Sequence, residues 1–458
     1  MAESGVRDGG RTGARGRGRA GGGRMGASRT GARILLAGGG TGGHLYPVLN
    51  LAEALRRAQP EVELLLLGAA RGLEARVLPR GDLPFRLLPM QPLYRSRPWR
   101  NWRLLGSAPR VLGGVLGTLR SFDPEVVVGT GGYASGPAVL AARLTGRRTA
   151  LQEQNARPGL VTRWLAPRVD QLHLGYPEAE AVLRPGRRTE VFAYGNPVAM
   201  ELAPAVTPAP GSVPGSGPAA PRAPEWPEGR VVLVTGGSQG ARGLNLRLIE
   251  DLESAASSSA GPTAGSSGSA FPPPDVSILW VAGPAQVEEI SARCRRLPWA
   301  NRIRVVPFIE RLSARLSRVT LAVSRAGAMF VSELAAAGVP AVLVPFPSAA
   351  GGHQSDNARA MAEAGAAVWR EEAELSPGRL WAMVLELLSD ETRLRSMAAA
   401  ARSRGAPEAA DRIAAELLRL ARGSRSSRSS GAASSGASPS GTSSSAPPGA
   451  GPDRESDS

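Results

Sequence analysis

Three glycine turns are the parts of this 458-residue chain best suited to chemistry: GGGTGGH at 38–44, GTGGYASGP at 129–137 and GGSQG at 236–240. Each lies between an apolar run and an amphipathic stretch. A turn of this kind leaves backbone N–H groups pointing out of a helix start, where the helix dipole adds partial positive charge, so it can receive phosphate. Glycine also serves tight turns and close packing, so one motif decides little, but three point to anionic ligands. None reads GxxxxGK[ST], and the chain has no Lys, which excludes a P-loop nucleotidase. Gly38, Gly40 and Gly43 match the letters of the dinucleotide fingerprint. The following strand, LLLLG, ends at Gly68 without the acid that would hold a ribose, so a nicotinamide cofactor is not expected. His44 closes the first turn, where an imidazole either takes a proton or binds an oxygen as a capping or phosphate ligand. Glu333 falls one to two turns into the helix expected after SRAG at 324–327. A carboxylate there suits paired sugar hydroxyls and not phosphate.

The elements that must hold these residues recur twice. RILLAGGGTGGHLYPVLNLAEALRRA opens one block, about 32–200, and RVVLVTGGSQGARGLNLRLIEDLES opens another, about 230–421. Short runs such as PEVVVGTGGY, VSILWVAG, LAVSRAG and PAVLVPF alternate with Ala/Leu/Arg-rich helical stretches. Buried strands separated by helices predict parallel sheets covered on both faces. The fold class is therefore α/β, with two Rossmann-like domains facing a central cleft and ligands at the carboxyl ends of both sheets.

Composition sets the limits. The chain is 42% hydrophobic, and Gly (57) plus Pro (39) make about a fifth of it, too little for a wholly unfolded chain. Residues 1–31, rich in Gly and Arg, and 422–458, rich in Ser and Gly, are expected to be disordered tails. Residues 201–229, with eight Pro from Pro204 to Pro227, read as a linker, and 255–274 as a low-complexity insertion. A single cysteine, Cys294, excludes an internal disulfide and a cysteine-based metal site. The net charge of +16 comes entirely from Arg and is weak evidence about partners, because the same Arg, Ala, Gly and Pro bias follows from a GC-rich coding background. No uncharged apolar run reaches the 18 or so residues of a spanning helix, and the N-terminus lacks the apolar stretch of a secretory signal.

GGGTGGH, GTGGYASGP, EQNARPG, YGNPV, GGSQGARGLN, PFIERL, SRAGAMFVSELAAAG, PAVLVPFP and HQSDNA, in this order, resemble the MurG family over about 33–421. That resemblance implies a GT-B enzyme that moves N-acetylglucosamine (GlcNAc) from UDP-GlcNAc, with inversion, to the 4-hydroxyl of undecaprenyl-diphospho-MurNAc-pentapeptide. This is the lipid I to lipid II step of peptidoglycan synthesis. It implies His44 as general base. Donor contacts would come from Gly237, Ser238 and Gln239 on the diphosphate, Phe308 and Ile309 at uracil, and Glu333 on the ribose. Ala328 and Met329 would approach the diphosphate or sugar, His353 and Gln354 the GlcNAc hydroxyls, and Asn155 the sugar. Thr41, Gly42, Gly43, His44, Gly131, Gly132, Tyr133 and Ser135 would cradle the acceptor diphosphate, with Thr41, Gly42 and Gly43 also near the donor. Glu153, Gln154 and Asn155 would line the cleft beside them. There is no Asp-x-Asp, so neither a metal nor a cofactor is expected. Helix dipoles would take the metal's place. Two other readings share the donor apparatus: a nucleotide-sugar epimerase or transferase with another acceptor, and a non-catalytic nucleotide-sugar binder.

The chain departs from the family pattern in places. Gln152 stands where HEQNA usually begins with His, and Ala199 follows YGNPV where an Arg is usual. Phe330 replaces a small hydroxyl residue, and Ser348, Gly351 and Gly352 replace polar or acidic ones. Arg242 is a candidate to replace the missing cation.

Residues 91–121, QPLYRSRPWRNWRLLGSAPRVLGGVLGTLRS, hold six Arg and no acid. Tyr94, Arg97, Trp99, Arg100, Trp102 and Arg103 suit the headgroup boundary of an anionic membrane. The same pattern also fits a solvated helix with leucines toward the core, or a base-stacking nucleic-acid surface. The polyprenyl acceptor implied by the resemblance favours the membrane, and no nucleic-acid partner is expected. The expected location is peripheral, on the cytoplasmic face of the plasma or inner membrane.

Overall fold

The computed structural model describes residues 31–91, 99, 102–199, 226–237, 241–259, 272–347 and 349–434. Continuous apolar runs form strands buried on both faces, as parallel sheets require. The first sheet contains β1 (Arg33–Ala37), β2 (Glu63–Ala69), β3 (Phe85–Leu88), β4 (Val126–Gly129), β5 (Arg148–Glu153), β6 (Gln171–Leu174) and β7 (Glu190–Phe192), in the spatial order β3-β2-β1-β4-β5-β6-β7. The second contains β8 (Arg230–Thr235), β9 (Val276–Val281), β10 (Ile303–Val306), β11 (Leu321–Ser324), β12 (Ala341–Leu343) and β13 (Ala367–Trp369), ordered β10-β9-β8-β11-β12-β13. Every pairing is parallel.

Strand order reverses at the same place in both sheets, beside the first strand. There β1 pairs with β4, aligning Ala37 with Gly129, and β8 pairs with β11, aligning Thr235 with Ser324. Each pair of glycine turns that follows is thus brought together at a switch point, the usual ligand crevice of doubly wound sheets.

Helices α1 (Gly42–Ala58), α2 (Glu74–Val77), α3 (Trp102–Phe122), α4 (Gly132–Leu144) and α5 (Leu160–Leu165) belong to the first half. The second half carries α6 (Arg242–Ser259), α7 (Val287–Cys294), α8 (Ala328–Ala337), α9 (His353–Glu363), α10 (Arg379–Ser389), α11 (Glu391–Arg404) and α12 (Ala409–Ser434). The four core clusters cover both faces of both sheets.

Three expected boundaries need correction. The last helix, α12, does not complete the second domain. Ala410, Ile413, Ala414, Leu417, Leu418 and Ala421 bury in one cluster with Ile34, Leu36, Leu51 and Leu55 of the first. The spacing of three and four residues makes a single apolar stripe, and full burial of each Ile or Leu contributes roughly 1.5–3 kcal/mol. Moreover, α12 runs through Ser434, beyond the tail boundary expected at 422, and α6 takes in 255–259 of the expected insertion. The rest of that insertion and of the linker and tails lies outside the described residues.

Candidate functional site

On the first-domain side, Thr41 is the N-cap of α1 and is exposed, and its side chain makes no capping hydrogen bond. Gly42, Gly43 and His44 form the first turn of that helix. His44 is half-buried, and its Nδ1 lies 2.9 Å from the carbonyl oxygen of Thr130 and 3.1 Å from Gln154 Oε1. Both oxygens only accept, so Nδ1 carries the proton and the neutral ring keeps its lone pair on Nε2. The Thr130 hydroxyl in turn donates to the His44 carbonyl, 2.8 Å away. The imidazole thus lies against the second glycine turn. A Cβ on Gly131, which has φ +86°, would stand 2.9 Å from two ring atoms. A Cβ on Gly132, at φ +73°, would stand 2.7 Å from the Gly39 carbonyl oxygen. Only glycine satisfies both the backbone and the space. The half-buried Tyr133 ring packs on Gly40.

Three residues expected on the acceptor side have buried side chains that brace the protein's own loops. Ser135 is buried and donates to the Gly132 carbonyl at 3.1 Å. Glu153 is buried, and its carboxylate accepts from Asn155 N, Asn155 Nδ2, Gly159 N and Thr162 Oγ1, which ties down its own loop. Gln154 is buried behind His44. A short polar side chain next to a motif reads identically in sequence whether it faces ligand or backbone.

On the donor side, Gly237 has φ +80°, and its N–H donates to Thr235 Oγ1. Ser238 and Gln239 lie outside the described residues, as does Ser348. Arg242 opens α6 with an exposed side chain. Ala328 and Met329 form the first turn of α8, and Glu333 follows on the same helix. Glu333 is half-buried, and among the described residues its carboxylate has no ion-pair or hydrogen-bond partner. Burial pushes its pKa up to about 7. Gln354 Oε1 accepts from Phe346 N at 2.9 Å, which leaves its amide N–H₂ toward other partners. His353 is the first residue of α9. Phe308 is exposed beside the edge strand β10, whereas the Ile309 side chain is in the core, so any contact it makes with a base is through its backbone. Phe330 packs against that same core, which accounts for an aromatic residue there. His173 is buried in β6, and desolvation, with Arg419 adding to it, holds its pKa down to about 3. It is a neutral core residue.

The two sides meet. Asn357 on α9 accepts from Ala156 N at 2.8 Å and donates to Asn155 Oδ1 at 3.2 Å and to the Ala326 carbonyl at 3.1 Å. Asn196, after β7, donates to Ser332 Oγ on α8 at 2.9 Å. Sequence reasoning assigned no role to Asn357 or Asn196, although both lie inside recognised motifs. It also missed Arg325, whose buried guanidinium is 2.5 Å from Glu372 and donates to the Pro345 carbonyl, bracing the strand ends below the SRAG turn.

Of the expected membrane residues, Tyr94, Arg97 and Arg100 lie outside the described residues, and Trp102 and Arg103 begin α3. Trp99 is exposed. A second exposed apolar group was not anticipated: Leu112 on α3, Leu140 and Leu144 on α4, and Trp164 on α5. These three helices pack side by side, with the exposed Arg110, Arg143 and Arg163 among the apolar residues.

Two parallel α/β domains with glycine turns at facing switch points define the GT-B class of nucleotide-sugar glycosyltransferases. Residues 34–174 match the glycosyltransferase family 28 N-terminal domain and 231–413 the glycosyltransferase family 28 C-terminal domain. The chain is 39% identical over 391 residues to the UDP-N-acetylglucosamine–N-acetylmuramyl-(pentapeptide) pyrophosphoryl-undecaprenol N-acetylglucosamine transferase of Moorella thermoacetica, covering 84% of this chain and 98% of that one. It is 38% identical to the protein of the same name in Syntrophotalea carbinolica, covering 83% and 97%. The crystal structure of Acinetobacter baumannii MurG superposes with a TM-score of 0.63 at 26% identity, over 85% of this chain and 99% of that one. The chain belongs to the MurG family within glycosyltransferase family 28.

Proposed function

We propose that this chain transfers GlcNAc from UDP-GlcNAc to the 4-hydroxyl of the muramyl sugar of undecaprenyl-diphospho-MurNAc-pentapeptide, with inversion at C1. The observation that carries this reading is the His44 imidazole, protonated on Nδ1 by geometry and held at the mouth of the first-domain glycine turns. Its Nε2 takes the proton of the acceptor hydroxyl as that oxygen attacks C1 from the face opposite UDP. The bond from C1 to the diphosphate oxygen breaks, and the pair leaves with UDP. Charge growing on UDP is met by the positive ends of the dipoles at the starts of α6 and α8, with Arg242 as the nearby cation. The open carboxylate of Glu333 receives the ribose hydroxyls, His353 and the Gln354 amide the GlcNAc hydroxyls, and Thr41 to His44 with Gly131 to Tyr133 the acceptor diphosphate.

Delivery of a polyprenyl substrate calls for membrane contact. Among the described residues no helix is long and apolar enough to cross a membrane. The exposed Leu112, Leu140, Leu144 and Trp164 of the adjoining helices α3, α4 and α5, which also expose Arg110, Arg143 and Arg163, support peripheral docking on an anionic surface through the first domain, at the cytoplasmic side. The deciding experiment incubates purified protein with labelled UDP-GlcNAc and a short-chain lipid acceptor, with and without EDTA. Acceptor-dependent UDP release and disaccharide formation are expected in both arms. UDP-GlcNAc turnover without acceptor would favour an epimerase, and binding without turnover a non-catalytic protein.

A further inference from the structure

Behind His44 lies a chain of three side-chain amides that water does not reach: Gln152, Gln154 and Asn196 are exposed by 0%, 1% and 2%. Its direction can be read from one end. Asn196 Nδ2 gives its two protons to Ser332 Oγ on α8 and to the Gln154 carbonyl, both at 2.9 Å, so Asn196 Oδ1 must accept. It does so from Gln152 Nε2 at 3.0 Å. Gln152 Oε1 is then left to accept from Gln154 Nε2, in a short contact. Gln154 Nε2 also donates to the Thr130 carbonyl at 2.8 Å and lies 3.1 Å from the Gln152 main-chain carbonyl. Only Gln154 Oε1 remains, and it faces His44 Nδ1. The site is built for this arrangement, since a Cβ on Gly175 would lie 2.2 Å from the Asn196 amide.

We infer that Gln152 and Asn196 are positioning residues for His44, locking the Gln154 amide so that its oxygen always faces the imidazole. A flipped Gln154 would set N–H₂ against the Nδ1 proton, donor against donor, and push the ring from its place. Gln152 is suited to the middle of the chain because it offers one donor and one acceptor in line. A neutral imidazole offers the same pair, which explains why this chain carries Gln where HEQNA has His: one donor–acceptor link has replaced another. Because the chain ends on α8, the helix that bears Glu333, it also joins the imidazole to the donor domain.

The inference rests on the reading of His44 as base, and the test separates the two. Steady-state kinetics would compare Gln152→Leu, Gln152→Glu and Gln152→His, each also measured for UDP-GlcNAc binding as a check of folding. Gln152→Leu removes both bonds. Gln152→Glu keeps the acceptor but sets an oxygen against Asn196 Oδ1. Both should lower kcat about tenfold, since small misplacement of a reacting group is costly, with the donor KM unchanged. Gln152→His should keep kcat within about threefold. In a His44→Ala background, Gln152→Leu should add no further loss. Wild-type kcat in both Gln152→Leu and Gln152→Glu, a Gln152→His as impaired as Gln152→Leu, or an equal loss on top of His44→Ala would each overturn the inference. Normal turnover by His44→Ala alone would bring down the base reading and the inference with it. An inactive His44→Ala beside a normal Gln152→Leu would overturn the amide chain only.

Discussion

Asn357 Nδ2 lies 3.2 Å from Asn155 Oδ1, and the same amide accepts from the Ala156 N–H at 2.8 Å, so one buried side chain of α9 clasps the loop after β5 across the cleft. Replacing it with Ala strands a buried N–H. Asn357→Ala should destabilise the protein by about 1–3 kcal/mol and lower kcat, because Asn155 loses the bond that aims it. Urea unfolding and initial rates measure the two effects, and unchanged values in both would remove the clasp.

Donor affinity should depend on pH through Glu333. Its pKa is raised from the ordinary 4.5 to about 7, so the carboxylate is largely protonated below neutrality and accepts sugar hydroxyls less well. UDP-GlcNAc binding, followed calorimetrically, should weaken from pH 8 to pH 6 in the wild type and stay flat in Glu333→Gln. The sign for stability is opposite. Ionising a buried carboxylate costs the folded state, so wild-type stability falls as pH rises from 4.5 to 7. The melting temperature of Glu333→Gln should therefore gain on that of the wild type across this window and hold its lead above pH 7.

His44→Ala should lower kcat by roughly 10²–10⁴ while leaving the donor KM alone, the range for loss of a general base. Gly131→Ala tests the same ring indirectly. Its Cβ would lie 2.9 Å from the imidazole at a φ that L residues avoid, so a fall in kcat at constant donor KM is expected. A Gly131→Ala enzyme with normal turnover would show that the imidazole need not rest on that turn.

The C-terminal helix should matter to a domain remote from it in sequence. Ile413→Ala and Leu417→Ala each open a cavity against β1 and α1, and each should cost about 2–5 kcal/mol. Hydrogen exchange would locate the loss in the first sheet. Protection lost only in the second sheet would contradict the packing.

Membrane docking should be separable from catalysis. Leu144→Ser with Trp164→Ser removes two of the most exposed apolar side chains, 78% and 67% accessible, from α4 and α5. Sedimentation with anionic vesicles should drop about tenfold or more, at roughly 25 cal/mol per Å² of apolar area, with the donor KM unchanged. Replacing Arg97, Arg100 and Arg103 with Ser tests the neighbouring segment in the same assay, and equal vesicle binding by both variants would end the assignment of this face.

Much of this protein was legible because its signals are local. VVVG and LLLLG are too apolar for strands with one wet face, so parallel sheets under helices follow, and glycine after such a strand marks a phosphate-type turn wherever it sits. The order of motifs was enough to name the family. Other facts depended on partners far away along the chain. The pairing of Ala37 with Gly129 brings two turns distant in the chain around one imidazole, and the Thr130 carbonyl, with Gln154 Oε1 beyond it, decides which nitrogen of His44 holds the proton. Ser135, Glu153 and Gln154 became braces, and Asn196 and Asn357 became links across the cleft, because an amide, hydroxyl or carboxylate serves a ligand or a buried backbone group equally well. The apolar stripe of α12 marked a buried helix in the sequence, but which domain it buries against was settled only by the complementary surface of α1 and β1.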